Sequence, residues 1–378
     1  MKKINVSTLK AGMKFDQPVY IEGENILVPA GIPLKQQDID RLIQWDIEEV
    51  YCEGREIGPE LEADKETMQA LKAWLPVRDE KYLKTYRSNI ERVEAIFRDI
   101  IENATIPHDA IDAVVQDLLE AIRLAPNEMV QLVLLGMWPE RRLSISAVNC
   151  TIISTVIGAA LKLTSYRQLQ LATGALLHDV GMLRISKSIL QKEGKLTEEE
   201  KKSIKTHPIL GYQIISKELK YPEEIAAIAL QHQEHWDGRG YPRQLRGEDI
   251  QLSARIVTVA DAYEAMVSQR PHKSSVIGYS AMKNILSDNG KHFDPKVLRA
   301  FLESIGVFPV GSIVQLNNAS IGRVVENHVE APLRPKIELL IDEYGTKFSD
   351  QQLVDLTGKK NIFIVKAIDP KLVEEQDR

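Results

Sequence analysis

Hydrophobic and polar positions alternate with different periods along the chain, and each change of period predicts a different kind of structure. Before residue 58, short apolar pieces at 17–21, 25–29 and 48–52 are punctuated by Gly and Pro and read as strands, while Ile39, Leu42 and Ile43 mark one short helix. These make a small α+β accessory module, residues 1–58. Farther on, Tyr82, Tyr86, Ile90, Val93, Phe97 and Ile100 recur at spacings of three and four, and Ile111, Val114, Val115, Leu118 and Ile122 repeat the pattern. Two amphipathic helices broken near Pro107 follow, forming a connector over residues 59–126. Their stripes either pack on their own domain or pair with a second subunit in a homodimer.

Residues 127–305 read almost wholly as helix, with turns at Pro139, Gly194, Pro222, Gly238 and Gly290. After Pro309 the texture returns to strand at 312–316, 322–326, 336–341 and 362–368, with turn signals at Asn317 and Gly345. This predicts a small β-barrel-like tail over residues 306–378. The fold class is mainly α, a helical domain between a small α+β module and a small β tail.

Composition narrows the function classes. A chain of 378 residues with 44% hydrophobic and 27% charged positions is globular, and its net charge of −6 argues against a general nucleic-acid surface, so no DNA partner is expected. An anionic ligand would have to meet a local positive pocket. Cys52 and Cys150 lie too far apart to suggest a disulfide or thiolate framework, which fits a reducing cytoplasmic compartment. The apolar run at 147–161 is broken by Asn149 and Ser154 and falls short of the roughly 20 residues of a membrane span. It reads as a buried helix, and the N-terminus does not read as a secretory signal.

Chemistry concentrates in two stretches, ALLHDVGM ending at Met182 and HQEHWDGRGYP ending at Pro242. The adjacent pair His178 and Asp179 offers an imidazole and a carboxylate, a combination suited to Fe, Mn, Zn or Ni, and a carboxylate can bridge two ions. Gly181 after the pair allows close approach of another element. His207, His232 and Asp261 follow in apolar, helix-like surroundings where unpaired charge is costly, so all five are candidate metal ligands.

These motifs resemble those of the HD-GYP family of metal-dependent phosphodiesterases, which act on the second messenger cyclic di-GMP. HDVGM is similar to the family's HDIGK, HQEHWDGRGYP to HHExxDGxGYP, and ADAYEAMVSQRPHK to ADxxDAxxxxRPYK. The resemblance implies an all-helical HD-type domain in which His178, Asp179, His207, His232 and Asp261 hold one or two divalent ions, iron or manganese. His178 and Asp179 are then the catalytic pair, with Asp179 as the bridge. Arg270 and Lys273 of the RPxK element, with Gly240 and Tyr241 of the GYP turn, are implied as contacts to cyclic di-GMP.

This chain also departs from the family's pattern. Ser146 and Gln233 stand where the family carries histidines, Met182 where it carries lysine, and Arg142 where some members carry a third-metal glutamate. Cys150 and His235 lie near enough in sequence to substitute. Two functions are therefore expected: a cyclic di-GMP phosphodiesterase yielding pGpG or GMP with activity weakened by its missing ligands, or a catalytically silent relative that senses cyclic di-GMP or engages a signalling protein partner.

Overall fold

The computed structural model describes residues 2–10, 13–15, 17–21, 26–28, 34–45, 47–54, 56–57, 80–102, 108–134, 142–192, 194–267, 278–328, 330–344, 346–359 and 361–368. The chain divides into two compact units, one of residues 1–75, 312–325 and 336–378, the other of residues 76–311 and 326–335.

The first unit contains the strands. Its N-terminal part comprises β1 (Lys2–Asn5), β2 (Lys14–Phe15), β3 (Val19–Tyr20), β4 (Ile26–Val28), α1 (Gln36–Gln44), β5 (Glu49–Cys52) and β6 (Glu56–Ile57). An antiparallel sheet runs in the order β1-β5-β3-β4, and β2 pairs with β6. Ile39 and Leu42 of α1 join Val6, Val19, Val28 and Val50 in a small core, whereas Ile43 on the same helix is exposed. The C-terminal part is an antiparallel five-stranded sheet of β7 (Ile313–Leu316), β8 (Ile321–Glu326), β9 (Lys336–Ile341), β10 (Lys347–Asp355) and β11 (Ile364–Ile368), ordered β10-β9-β8-β7-β11.

The second unit is helical: α2 (Glu80–Ile101), α3 (His108–Leu124), α4 (Pro126–Leu134), α5 (Leu143–Ala160), α6 (Ser165–Leu177), α7 (Lys187–Leu190), α8 (Glu198–Ile204), α9 (His207–Gln213), α10 (Glu223–Gln231), α11 (Leu252–Val267), α12 (Gly278–Ser287) and α13 (Pro295–Ile305). The stripes of α2 and α3 turn inward, burying Tyr86, Ile90, Val93, Phe97, Ile111, Val114 and Leu118 against each other and against α5 and α6. The expected break between them at Pro107 lies outside the described residues.

Helix α5 is buried on every side from Ser144 to Gly158. It is long and apolar enough to cross a membrane, but 83% of it is buried inside the protein, as befits the central helix of a core. Each fully buried Ile or Val there contributes about 1.5–3 kcal/mol. This rigid centre supports α6, α11 and α13 around it.

Candidate metal centre

Helix ends deliver most of the site. Helix α6 begins with Thr164 capping the amide of Arg167 and runs apolar to Leu177, so that His178 and Asp179 emerge where the helix stops. His207 is the first residue of α9, His232 directly follows α10, and Asp261 projects from within α11. Gly181 makes the meeting possible, because a Cβ there would lie 2.0 Å from the carbonyl oxygen of His207 and 2.5 Å from the amide of Gly211. The close approach expected at this glycine is thus borne out.

Three imidazoles are oriented in the same way. Nδ1 of His178 donates to the Ala175 carbonyl at 2.7 Å, and Nδ1 of His207 and His232 donate to Ile204 and Ala229, each at 2.8 Å. Each Nε2 then faces the pocket, the orientation in which histidine binds metals. Oδ1 of Asp179 lies 3.2 Å from Nε2 of His207 and 3.4 Å from Nε2 of His232, and those nitrogens are 3.2 Å apart. Its Oδ2 lies 3.8 Å from Nε2 of His178, which is also 3.8 Å from Oδ1 of Asp261. The two oxygens of Asp179 therefore face different partners. His178, Asp179 and His232 each offer a donor atom within 4.8 Å of the others, a possible metal-binding triad.

The electrostatics call for a cation. Nε2 of His178 and Oδ1 of Asp179 are buried with no hydrogen-bond partner among the described residues. Without a metal, positive charge at this point comes from a proton: burial opposes it, but Cys150, Asp179 and Asp261 hold His178 well above the usual imidazole range. Burial opposes the charge on Asp179, yet the imidazoles of His178, His232 and His207 outweigh it and hold the carboxyl well below its usual range. Burial lowers His207 and keeps it a neutral, ligand-competent imidazole. An N/O donor set of this kind, with two orphaned buried atoms, fits a divalent ion.

At both positions where the resemblance leads one to expect histidine, the side chain bonds to the protein itself. Ser146 donates through Oγ to Oε2 of Glu264 at 2.7 Å, Asn149 donates to Oε1 of Glu264 at 3.3 Å, and the Tyr86 hydroxyl donates to Oδ1 of Asn149 at 2.7 Å, all within the core. Gln233 donates through Nε2 to Oδ2 of Asp261 at 3.3 Å and accepts at Oε1 from the Tyr241 hydroxyl at 3.2 Å. Cys150 is fully buried with Sγ 3.8 Å from Oγ of Ser154, and burial pushes its thiol up. His235 lies against His292, ring centroids 3.9 Å apart. Arg142 pairs with Glu94 of α2 at 3.1 Å.

The GYP turn is held over the cluster by a carboxylate that sequence reasoning gave no role. Buried Glu234 accepts from the amides of Arg243 at 2.6 Å and Leu245 at 3.1 Å. Gly238 takes a φ of +82°, while Gly240 is required by space, since a Cβ would come within 2.3 Å of the His235 amide. Trp236 stacks under Arg255, which is bound to Asp294 at 2.6 Å. Tyr241 meets His207 edge-on with centroids 6.2 Å apart. Burial first, then Asp179 and Asp261, push its phenol up to about 12, so it remains a donor. Arg270 and Lys273 lie outside the described residues. Of the other cations expected at the mouth, Arg184 pairs with Glu218 at 3.0 Å and Arg239 with Asp237 at 3.6 Å, while Lys187 and Arg243 are exposed.

Comparison with known proteins adds a second line of observation. A family profile described as HD domain matches residues 126–297, and one described as KOW domain associated with HD domain matches residues 313–376. The cyclic di-GMP phosphodiesterase PA4108 of Pseudomonas aeruginosa is 28% identical over 94% of this chain and 89% of its own length. The cyclic di-GMP phosphodiesterase PdeB of Borreliella burgdorferi is 27% identical over 85% and 83%. A cyclic di-GMP phosphodiesterase of Thermotoga maritima reaches 44% identity over 34% of this chain and 35% of its own. Among solved structures, Bd1817, described as an HDG"Y"P protein from Bdellovibrio bacteriovorus, aligns over 79% of this chain and 97% of its own with a TM-score of 0.49 and 18% identity.

Proposed function

We propose that the chain is a member of the HD-GYP family and a metal-dependent phosphodiesterase that hydrolyses cyclic di-GMP to pGpG or GMP, as the HD-domain match and the similar cyclic di-GMP phosphodiesterases support. The observation that carries the reading is Asp179, whose two oxygens face His207 and His232 on one side and His178 on the other. In this reading His178, Asp179 and Asp261 hold one ion, Asp179, His207 and His232 a second, and the ions are iron or manganese. A divalent ion held there supplies Lewis acidity to the phosphodiester and lowers the pKa of water.

The chain's own residues do the rest. The three Nδ1 donations fix the ring orientations before any ligand arrives. Tyr241 and Gly240 line the approach, with Arg270 and Lys273 as further phosphate contacts in the family resemblance. Glu234 keeps the turn that carries Tyr241 folded over the cluster.

A second reading is favoured by Gln233 and Ser146, which fill two histidine positions with groups that bond to the protein itself. There the chain binds cyclic di-GMP without cleaving it. Metal analysis of anaerobically purified protein, with chromatography for pGpG and GMP, separates the two. Product that vanishes on chelation supports the phosphodiesterase. Tight nucleotide binding without product from the fully loaded protein overturns it in favour of the sensor.

A further inference from the structure

We propose that Lys205 is a phosphate-binding residue of this site, holding the anionic phosphodiester over Tyr241 and beside the Asp179 cluster. This rests on the phosphodiesterase reading and adds a residue outside all three motifs HDVGM, HQEHWDGRGYP and ADAYEAMVSQRPHK.

Lys205 lies between α8 and α9, two residues ahead of His207, and is exposed. Its Nζ is 5.2 Å from the centroid of the Tyr241 ring. That ring meets His207 edge-on, and its hydroxyl donates to Gln233, which donates to Asp261. A continuous wall therefore runs from an exposed ammonium to the buried ligand atoms. The pocket presents the carboxyl groups of Asp179 and Asp261. A phosphodiester approaching it needs a local cation, because the protein as a whole carries a charge of −6.

Neighbouring cations are committed elsewhere. Lys192 pairs with Glu200 at 2.8 Å, Lys201 with Glu198 at 2.7 Å, and Arg184 with Glu218 at 3.0 Å. Met182, on the turn after Asp179, brings no charge. Lys205 makes no ion pair among the described residues, although its charge helps to lower Glu198, whose ion pair is with Lys201, and a contact with an aromatic face at an exposed site orients an ammonium without using up its donors.

The test is calorimetry of metal-loaded protein with cyclic di-GMP, comparing the parent with Lys205→Gln and Lys205→Arg. Lys205→Gln is expected to weaken binding roughly 10- to 150-fold, as for a lost hydrogen bond between charged groups, with metal content unchanged. Lys205→Arg is expected to recover most of the affinity, and the salt dependence of binding to decrease in the Gln variant alone. Unchanged affinity in Lys205→Gln, or a loss that tracks lost metal, overturns the proposal. Should the parent bind no cyclic di-GMP, the phosphodiesterase reading fails separately, and the same titration with inorganic phosphate decides for Lys205. Weaker phosphate binding in Lys205→Gln supports it; equal binding, or none by the parent, overturns it.

Discussion

Gln233 bridges Asp261 and Tyr241, giving its amide proton to one at 3.3 Å and taking the phenolic proton of the other at 3.2 Å. An uncharged amide thus occupies one carboxylate oxygen of Asp261. Replacing it with an imidazole adds a donor and frees that oxygen. Gln233→His is expected to tighten manganese binding by at least about 10- to 100-fold, the range for altering even a supporting group around a metal. Anaerobic manganese titration checks this, and equal affinities would mean that Gln233 does not limit metal binding. Ser146→His is expected to act differently, because it strips the buried Glu264 of a partner and lowers stability by about 1–3 kcal/mol.

Gly181 gives a steric prediction. With the His207 carbonyl only 2.0 Å from where a Cβ would stand, Gly181→Ala must push α9 away from the turn that carries Asp179. Overpacking of this kind costs about 1–3 kcal/mol, and it widens the 3.2 Å gap between Asp179 and His207. The variant is expected to melt earlier and to bind less metal. Loss of stability without loss of metal would show that the helix moves in some other direction.

Much of this was legible in the sequence because it follows from simple periodicity and from spacing. The stripes through Tyr86 and Val114 are buried as their spacing of three and four required, and the five candidate ligands lie at helix ends or within α11. What escaped notice has physical reasons. Strand β10 reads KFSDQQLVD, poor in strand formers, and it is held as an edge strand on β9 through an irregular register. Strand β1 begins with two lysines and, among the described residues, pairs with its distant partner β5. Glu234 and Glu264 look like surface acids in one dimension, and burial alone reveals them as organisers of the turn and of the core. The bonds of Ser146 to Glu264 and of Gln233 to Asp261 join residues more than twenty positions apart in sequence.

The close ring pair of His235 and His292 yields a pH dependence. Burial, and then the neighbouring His235, lower His292 from 6.5 to about 4, although Asp288, Asp237 and Asp261 pull the other way. Between those values the unfolded chain binds a proton that the folded protein refuses, so this contribution is present above pH 6.5 and is lost as pH falls toward about 4. His292→Phe keeps the ring contacts to His235 and Phe293 and removes the titration. Urea midpoints of parent and variant are expected to run parallel above pH 6.5 and to converge or cross below it, the parent losing more stability in acid. Parallel curves throughout would place the proton elsewhere.

The most direct measurement is anaerobic metal occupancy in the parent and in Asp179→Asn. Asp179 is the one side chain whose two oxygens face both groups of imidazoles, and the amide offers a weaker donor while leaving the shape of the pocket intact. The parent is expected to retain one or two equivalents of iron or manganese and the variant almost none, with its melting temperature little changed in the absence of metal. Equal occupancy in parent and variant would contradict a metal centre organised around Asp179.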